Sequence, residues 1–130
     1  MIYCTSWDNI SDIGSLLKEW TGRDINTEFV LWNSYFIVAK DNNEFIGCAQ
    51  LVIIDDPFWN RRWGLVENVF VKDSYRKCGV GKQLMERVEI QAKLFGCKFI
   101  KLTSGFDKMA GIALYESLGY EKGYSFRKEL

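Results

Sequence analysis

Residues 63–104 constrain the possible folds of this chain more than any other stretch. "WGLVENVFVK" has the composition of a strand, "YRKCGVGK" is a bend with two glycines, "GVGKQLMERVEIQAKLFG" is an amphipathic run and "CKFIKLTS" is a second strand. The run puts Val80, Leu84, Met85, Val88, Ala92 and Phe95 on one helical face, and Gly96 follows its last turn. Two strands joined by a long helix read as a βαβ unit, a parallel pair with a right-handed crossover.

The flanking segments predict what surrounds that unit. "MIYCT" reads as a first strand. Ile10, Ile13, Leu16, Leu17 and Trp20 then recur at helical spacing, with Ser6 or Asp8 as cap and Gly22 as the end. "SYFIVAK" and "FIGCAQLVII" form a hairpin about "DNNE", and "DDPFWNRR" reads as a loop. Residues 23–33 show no clear period. "DKMAGIALYESLG" is a helix with Asp107 as N-cap and Gly119 beyond its end, and "YSFRKEL" reads as a closing strand. The expected architecture is one α/β domain over residues 1–130. It has a mixed, mostly antiparallel sheet of six to seven strands, three to four helices and one parallel βαβ unit.

Composition excludes several classes of function. Lys plus Arg equals Asp plus Glu, at 17 each, so no electrostatic footprint for nucleic acid or anionic lipid is present. No apolar run reaches the length of a membrane span. Cys4, Cys48, Cys78 and Cys97 make no C-x-x-C pair, so no metal site is expected; with no signal peptide they read as reduced thiols in a cytoplasmic protein. The chain has no histidine, which removes Ser-His and Cys-His triads and imidazole proton shuttles. Acid–base chemistry falls to carboxylates, Tyr, Lys or Cys.

The glycine pair sits where a strand hands over to a helix. There the first-turn N–H groups lack internal partners and the helix dipole is positive, so the bend is either an anion cradle or a plain turn. A P-loop would need Gly at Arg76 and Ser or Thr at Gln83, and a dinucleotide fingerprint would need Gly at Leu84; both fail. What remains is R-x-x-G-x-G, made of Arg76, Gly79 and Gly81. Together with "VENVFV" before it and "ALYESLGY" after it, this resembles the GNAT superfamily of N-acetyltransferases, which use acetyl-CoA. The resemblance runs from about Trp63 to the C-terminus.

That resemblance implies a site. Main-chain N–H groups of Arg76, Lys77, Cys78, Gly79, Val80, Gly81 and Lys82 would hold the pyrophosphate of acetyl-CoA. The strand end Val69, Phe70 and Val71 would pair with the pantetheine arm, as an added strand does. Many members carry a catalytic Glu on this strand, here Glu67, and an acid in the later motif, here Tyr115. By simple alternation Trp63, Leu65, Glu67, Val69 and Val71 share one face, and Asn68 sits with Val66 and Phe70. Glu67 is then a half-buried base, N–H groups near Phe70 and Val71 steady the carbonyl oxygen, and Tyr115 protonates the leaving sulfur. From its residues alone, Tyr115 belongs equally to an apolar stripe with Met109, Ile112 and Leu118. Lys108 stands where the family often has Asn or Arg and still reaches phosphates as a point charge, and Gly111 stands where Ala is common.

Acidic and aromatic residues gather in two irregular segments: Asp24, Glu28 and Trp32, and Asp55, Asp56, Phe58, Trp59 and Trp63. They suit a small cationic amine, while "PFWNRRW" suits a dimer contact equally. The expected partner is a small-molecule amine acceptor, with the chain a monomer or homodimer. A peptide amine, a CoA-binding regulatory domain and a plain interaction module are the alternatives.

Overall fold

The computed structural model describes residues 2–6, 14–24, 33–104 and 108–130. One sheet carries five strands in chain order: β1 (Ile2–Ser6), β2 (Ser34–Asp41), β3 (Glu44–Asp56), β4 (Arg61–Val71) and β5 (Ile100–Leu102). The first three pairings are antiparallel and β4–β5 is parallel. The described helices are α1 (Gly14–Thr21), α2 (Val80–Leu94) and α3 (Met109–Ser117), and a 3-10 turn spans Asp73–Tyr75.

The mixed sheet and its parallel crossover match the expectation, but the strand number does not: the described residues make five strands, not six to seven. The expected closing strand "YSFRKEL" forms no ladder, and Tyr124 and Phe126 are 96% and 94% exposed. Strand stability comes from cross-strand pairs and a buried face, and this tail has neither. The loop "DDPFWNRR" is also shorter than expected, because β3 runs to Asp56 and β4 begins at Arg61. The turn about "DNNE" is as expected, with Asn42 at φ 53°.

Period-two burial separates two layers. On one face Ile37, Ala39, Ala49, Leu51, Ile53 and Val66 pack against Leu84, Met85, Val88 and Ala92 of α2. On the other, Phe36 and Val38 meet Leu17 of α1 and Phe45. Leu84 is fully buried, so its replacement by Ala would cost roughly 2–5 kcal/mol. Gly22, Gly96 and Gly119 end the three helices at positive φ, as their positions predict. Ser6 belongs to β1, whereas Asp8, Ile10, Ile13 and Asp107 lie outside the described residues. Gly64 permits a close approach: a Cβ there would lie 2.7 Å from Leu51 Cδ1 and 3.0 Å from Ile100 Cγ2.

One irregularity decides how β4 presents its side chains. Gln50 pairs with Glu67 and Cys48 with Phe70, so Asn68 and Val69 together oppose Ala49. Asn68 takes φ 49°, and the strand gains a bulge. An extra residue moves every later side chain to the opposite face. Trp63, Leu65 and Glu67 therefore point to the α1 side, while Val69 and Val71 pack into the α2 core. Phe70 stacks on Trp20 of α1, with centroids 5.1 Å apart. The single row expected from Trp63 to Val71 is broken at this bulge, and Asn68 does not share a face with Val66.

Candidate functional site

The parallel ladder between β4 and β5 covers Gly64–Val66 against Ile100–Leu102. Beyond Val66, the outer edge of β4 carries no strand among the described residues. Lys72 N–H donates to Ile46 O at 2.9 Å, so alternation turns the N–H and C=O of Val71 away from β3, toward that open edge. Arg76 Nε lies on the same side and donates to Val71 O at 3.1 Å. Phe70 N–H, one step back, faces β3, so of the two expected oxyanion donors Val71 alone is aimed at the open edge.

The chain then rises into α2 through backbone that few side chains tolerate. Lys77 has φ 60°, and Gly79, the N-cap, has φ 84° with no side-chain hydrogen bond capping the helix. The ladder begins with Gln83 N–H donating to Gly79 O at 3.1 Å, so the N–H groups of Val80, Gly81 and Lys82 precede it without a helical acceptor. A Cβ on Gly81 would lie 3.4 Å from Leu114 Cδ2 and 3.9 Å from Val71 Cγ2. The start of α2, the end of β4 and the middle of α3 thus converge there.

Arg76, Lys77 and Lys82 belong to this bend, and they are exposed, as is Lys108 at the start of α3. Arg76 pairs with Asp73 at 3.0 Å, Lys82 reaches Glu86 at 3.9 Å, and Lys108 is the N-cap of α3. Lys77 and Cys78 are exposed, and Cys78 Sγ donates to Arg76 O at 3.5 Å. Donors without a capping side chain, next to several cations, form a site that fits a diphosphate. Cys48, Cys78 and Cys97 are free thiols. Among the described residues no group of carboxylates and thiols is placed to hold a metal, and no helix is long and apolar enough to cross a membrane.

The two expected catalytic side chains approach from different sides of the sheet. Glu67 lies on the α1 side beside the bulge and is exposed, not half-buried as the alternation predicts. Tyr115 packs at the margin of the α2 core, edge-on to Tyr120 at 5.8 Å, and burial pushes its phenol up. Leu114 and Leu118 flank the same core, but Met109, expected in that stripe, is 69% exposed. A Cβ on Gly111 would meet Tyr115 Cε2 and Ser104 Oγ at 3.6 Å, ordinary contact, so an alanine fits there.

Several contributors were not legible beforehand. Ser34 and Gln50 are both buried; Gln50 Nε2 donates to Ser34 Oγ at 2.8 Å, and Asn68 Nδ2 donates to Gln50 Oε1 at 2.7 Å. This chain of amides ties the bulge to β2 and β3. Its one signal was a glutamine inside the apolar run "FIGCAQLVII". The acidic loop is also different from expectation. Asp55 pairs with Arg62 at 2.6 Å and Asp56 with Arg61 at 3.3 Å, and the Arg62 guanidinium holds the Asp55 carboxyl below its ordinary range. Asp24 pairs with Lys18 at 3.0 Å, while Glu28 and Trp32 lie outside the described residues. Two open grooves, of about 410 and 460 Å³, lie along the outer edge of β5 and beside the β3–β4 turn.

Residues 4–120 match the acetyltransferase (GNAT) family, and the chain belongs to it. An IAA acetyltransferase of Azospirillum brasilense is 29% identical over 65% of this chain and 53% of its own length. N-acetyltransferase 8 of Homo sapiens is 30% identical over 72% of this chain and 41% of its own. The chain thus spans about half the length, or less, of these relatives. Among solved structures, an aminoglycoside acetyltransferase from an uncultured soil metagenomic sample superposes with a TM-score of 0.82 at 16% identity, covering 100% of this chain and 97% of its own, and shares the fold.

Proposed function

We propose that residues 1–130 form one N-acetyltransferase domain that moves an acetyl group from acetyl-CoA directly to a primary amine. The observation that carries this reading is the uncapped start of α2, where the N–H groups of Val80, Gly81 and Lys82 follow an edge of β4 that carries no strand among the described residues. Gly79, Val80, Gly81 and Lys82 would hold the diphosphate, with Arg76, Lys77, Cys78 and Lys108 around it. Val69, Phe70 and Val71 would line the pantetheine arm. Acetyl-CoA supplies an acyl group on a thiol leaving group.

The protein's own groups would do the rest. Glu67, directly or through water, takes a proton from the arriving ammonium so that its lone pair is free to attack. The Val71 N–H donates to the carbonyl oxygen as charge develops on it. Tyr115 gives a proton to the sulfur as the C–S bond breaks and the C–N bond forms. No enzyme nucleophile is needed, since holding both substrates together supplies much of the acceleration. This accommodates a chain without histidine. The free thiols suit a reducing, cytoplasmic setting.

The test is paired. Acetyl-CoA at about 100 times its dissociation constant stabilises the domain by about 2.7 kcal/mol, and thiol release follows when a reactive amine is added. No stabilisation overturns the reading. Stabilisation without thiol release across small amines and peptide N-termini leaves a CoA-binding regulatory domain instead.

A further inference from the structure

We propose that the acceptor amine carries an anionic group, a carboxylate or a phosphate, and that Lys101 receives it; this rests on the amine-transfer reading above. The face of β4 that bears Glu67 continues through Leu65 to Trp63, and Lys101 of β5 stands in register beside Leu65. Strand geometry puts the Cα atoms of Glu67 and Lys101 roughly 8 Å apart on one face of the sheet. Glu67 and Lys101 are both exposed.

The Lys101 ammonium is held on an aromatic shelf. It lies 4.9 Å from the centroid of Trp63 and 5.5 Å from that of Phe99. Those two rings stack at 5.7 Å with 15° between their planes. A cation over ring faces is attracted by their negative quadrupoles, which orients it. No carboxylate lies within ion-pair distance of it among the described residues. Of the carboxylates that favoured a cationic acceptor, Asp24, Asp55 and Asp56 are taken by Lys18, Arg62 and Arg61, and Glu28 lies outside the described residues. An amine at Glu67 with its apolar body across Leu65 brings an anionic end toward Lys101. Charge complementarity along this row therefore selects a zwitterionic acceptor over a diamine.

Four small amines test this on the full chain: butylamine, 4-aminobutanoate, 2-aminoethyl phosphate and 1,4-diaminobutane. Each is titrated while the Trp63 indole N–H resonance is followed, with Trp63→Phe used to assign it. The expected result is a dissociation constant at least tenfold lower for an anionic amine than for the diamine, with the better anion identifying carboxylate or phosphate. Lys101→Met removes the preference, and Lys101→Glu reverses it toward 1,4-diaminobutane. Equal affinities in the unsubstituted protein, or an order unchanged in Lys101→Glu, overturn the proposal. Thiol release from acetyl-CoA with the same amines is read separately, so failure of transfer is distinguished from failure of this binding order.

Discussion

Asn68, held at φ 49°, donates its side-chain amide to Gln50 Oε1 at 2.7 Å, directly beside the pairing of Gln50 with Glu67. That bond fixes the point where β4 changes face. Gln50→Leu leaves Ser34 and Asn68 without their partner and should cost about 1–3 kcal/mol in urea unfolding. Asn68→Gly keeps the left-handed backbone and should cost less than Asn68→Val, whose branched side chain opposes positive φ. A valine variant as stable as the glycine variant would show that the backbone there is not constrained.

Gly111 stands in α3 without a steric reason. Its nearest side-chain neighbours would lie 3.6 Å from an added Cβ. Gly111→Ala should raise stability by about 1 kcal/mol through helix propensity, seen as a melting temperature a few degrees higher. A lower melting temperature would mean that Tyr115 or Ser104 is displaced.

Cys48 gives a pH signature. Burial pushes its thiol from 9.0 up to about 12. The unfolded thiol ionises first, so above pH 9 the unfolded state binds fewer protons and stability falls as pH rises toward 12. The slope is up to about 1.4 kcal/mol per pH unit from this group. Cys48→Ala should flatten that decline in urea titrations between pH 9 and 11, whatever its effect at pH 7. An unchanged slope would show the thiol is not desolvated.

Tyr115 and Glu67 should separate turnover from binding. Tyr115→Phe should lower kcat by about 100-fold or more while leaving acetyl-CoA affinity within a few-fold. Burial raises the phenol above its usual value near 10, so it keeps its proton at neutral pH and the acid-dependent limb should appear only in alkaline solution. Glu67→Gln should lower kcat similarly while leaving acetyl-CoA affinity within a few-fold. Full turnover in both variants would exclude these roles.

How much of this was legible depended on whether the information was local. The face of α2 was readable because Val80, Leu84, Met85, Val88 and Ala92 recur with the helical period within fifteen residues. The glycine bend was readable because Gly79 and Gly81 adjoin that helix. The bulge was not, because the face of Glu67 relative to Val69 depends on the register with Ala49, on another strand. The shelf under Lys101 needs the parallel register with Leu65, which no spacing along the chain reveals. The tail misled for the opposite reason: Tyr124 and Phe126 alternate like strand residues, but alternation without a partner makes no strand.

On the reading proposed above, backbone amides at the start of α2 hold the diphosphate of acetyl-CoA. Titrating the isotope-labelled chain with acetyl-CoA and following amide resonances tests it most directly. The largest shifts are expected at Gly79, Val80, Gly81 and Lys82, with a second set at Val69 and Val71. Saturable binding that leaves these amides unmoved and perturbs the grooves beside β5 or the β3–β4 turn would contradict it.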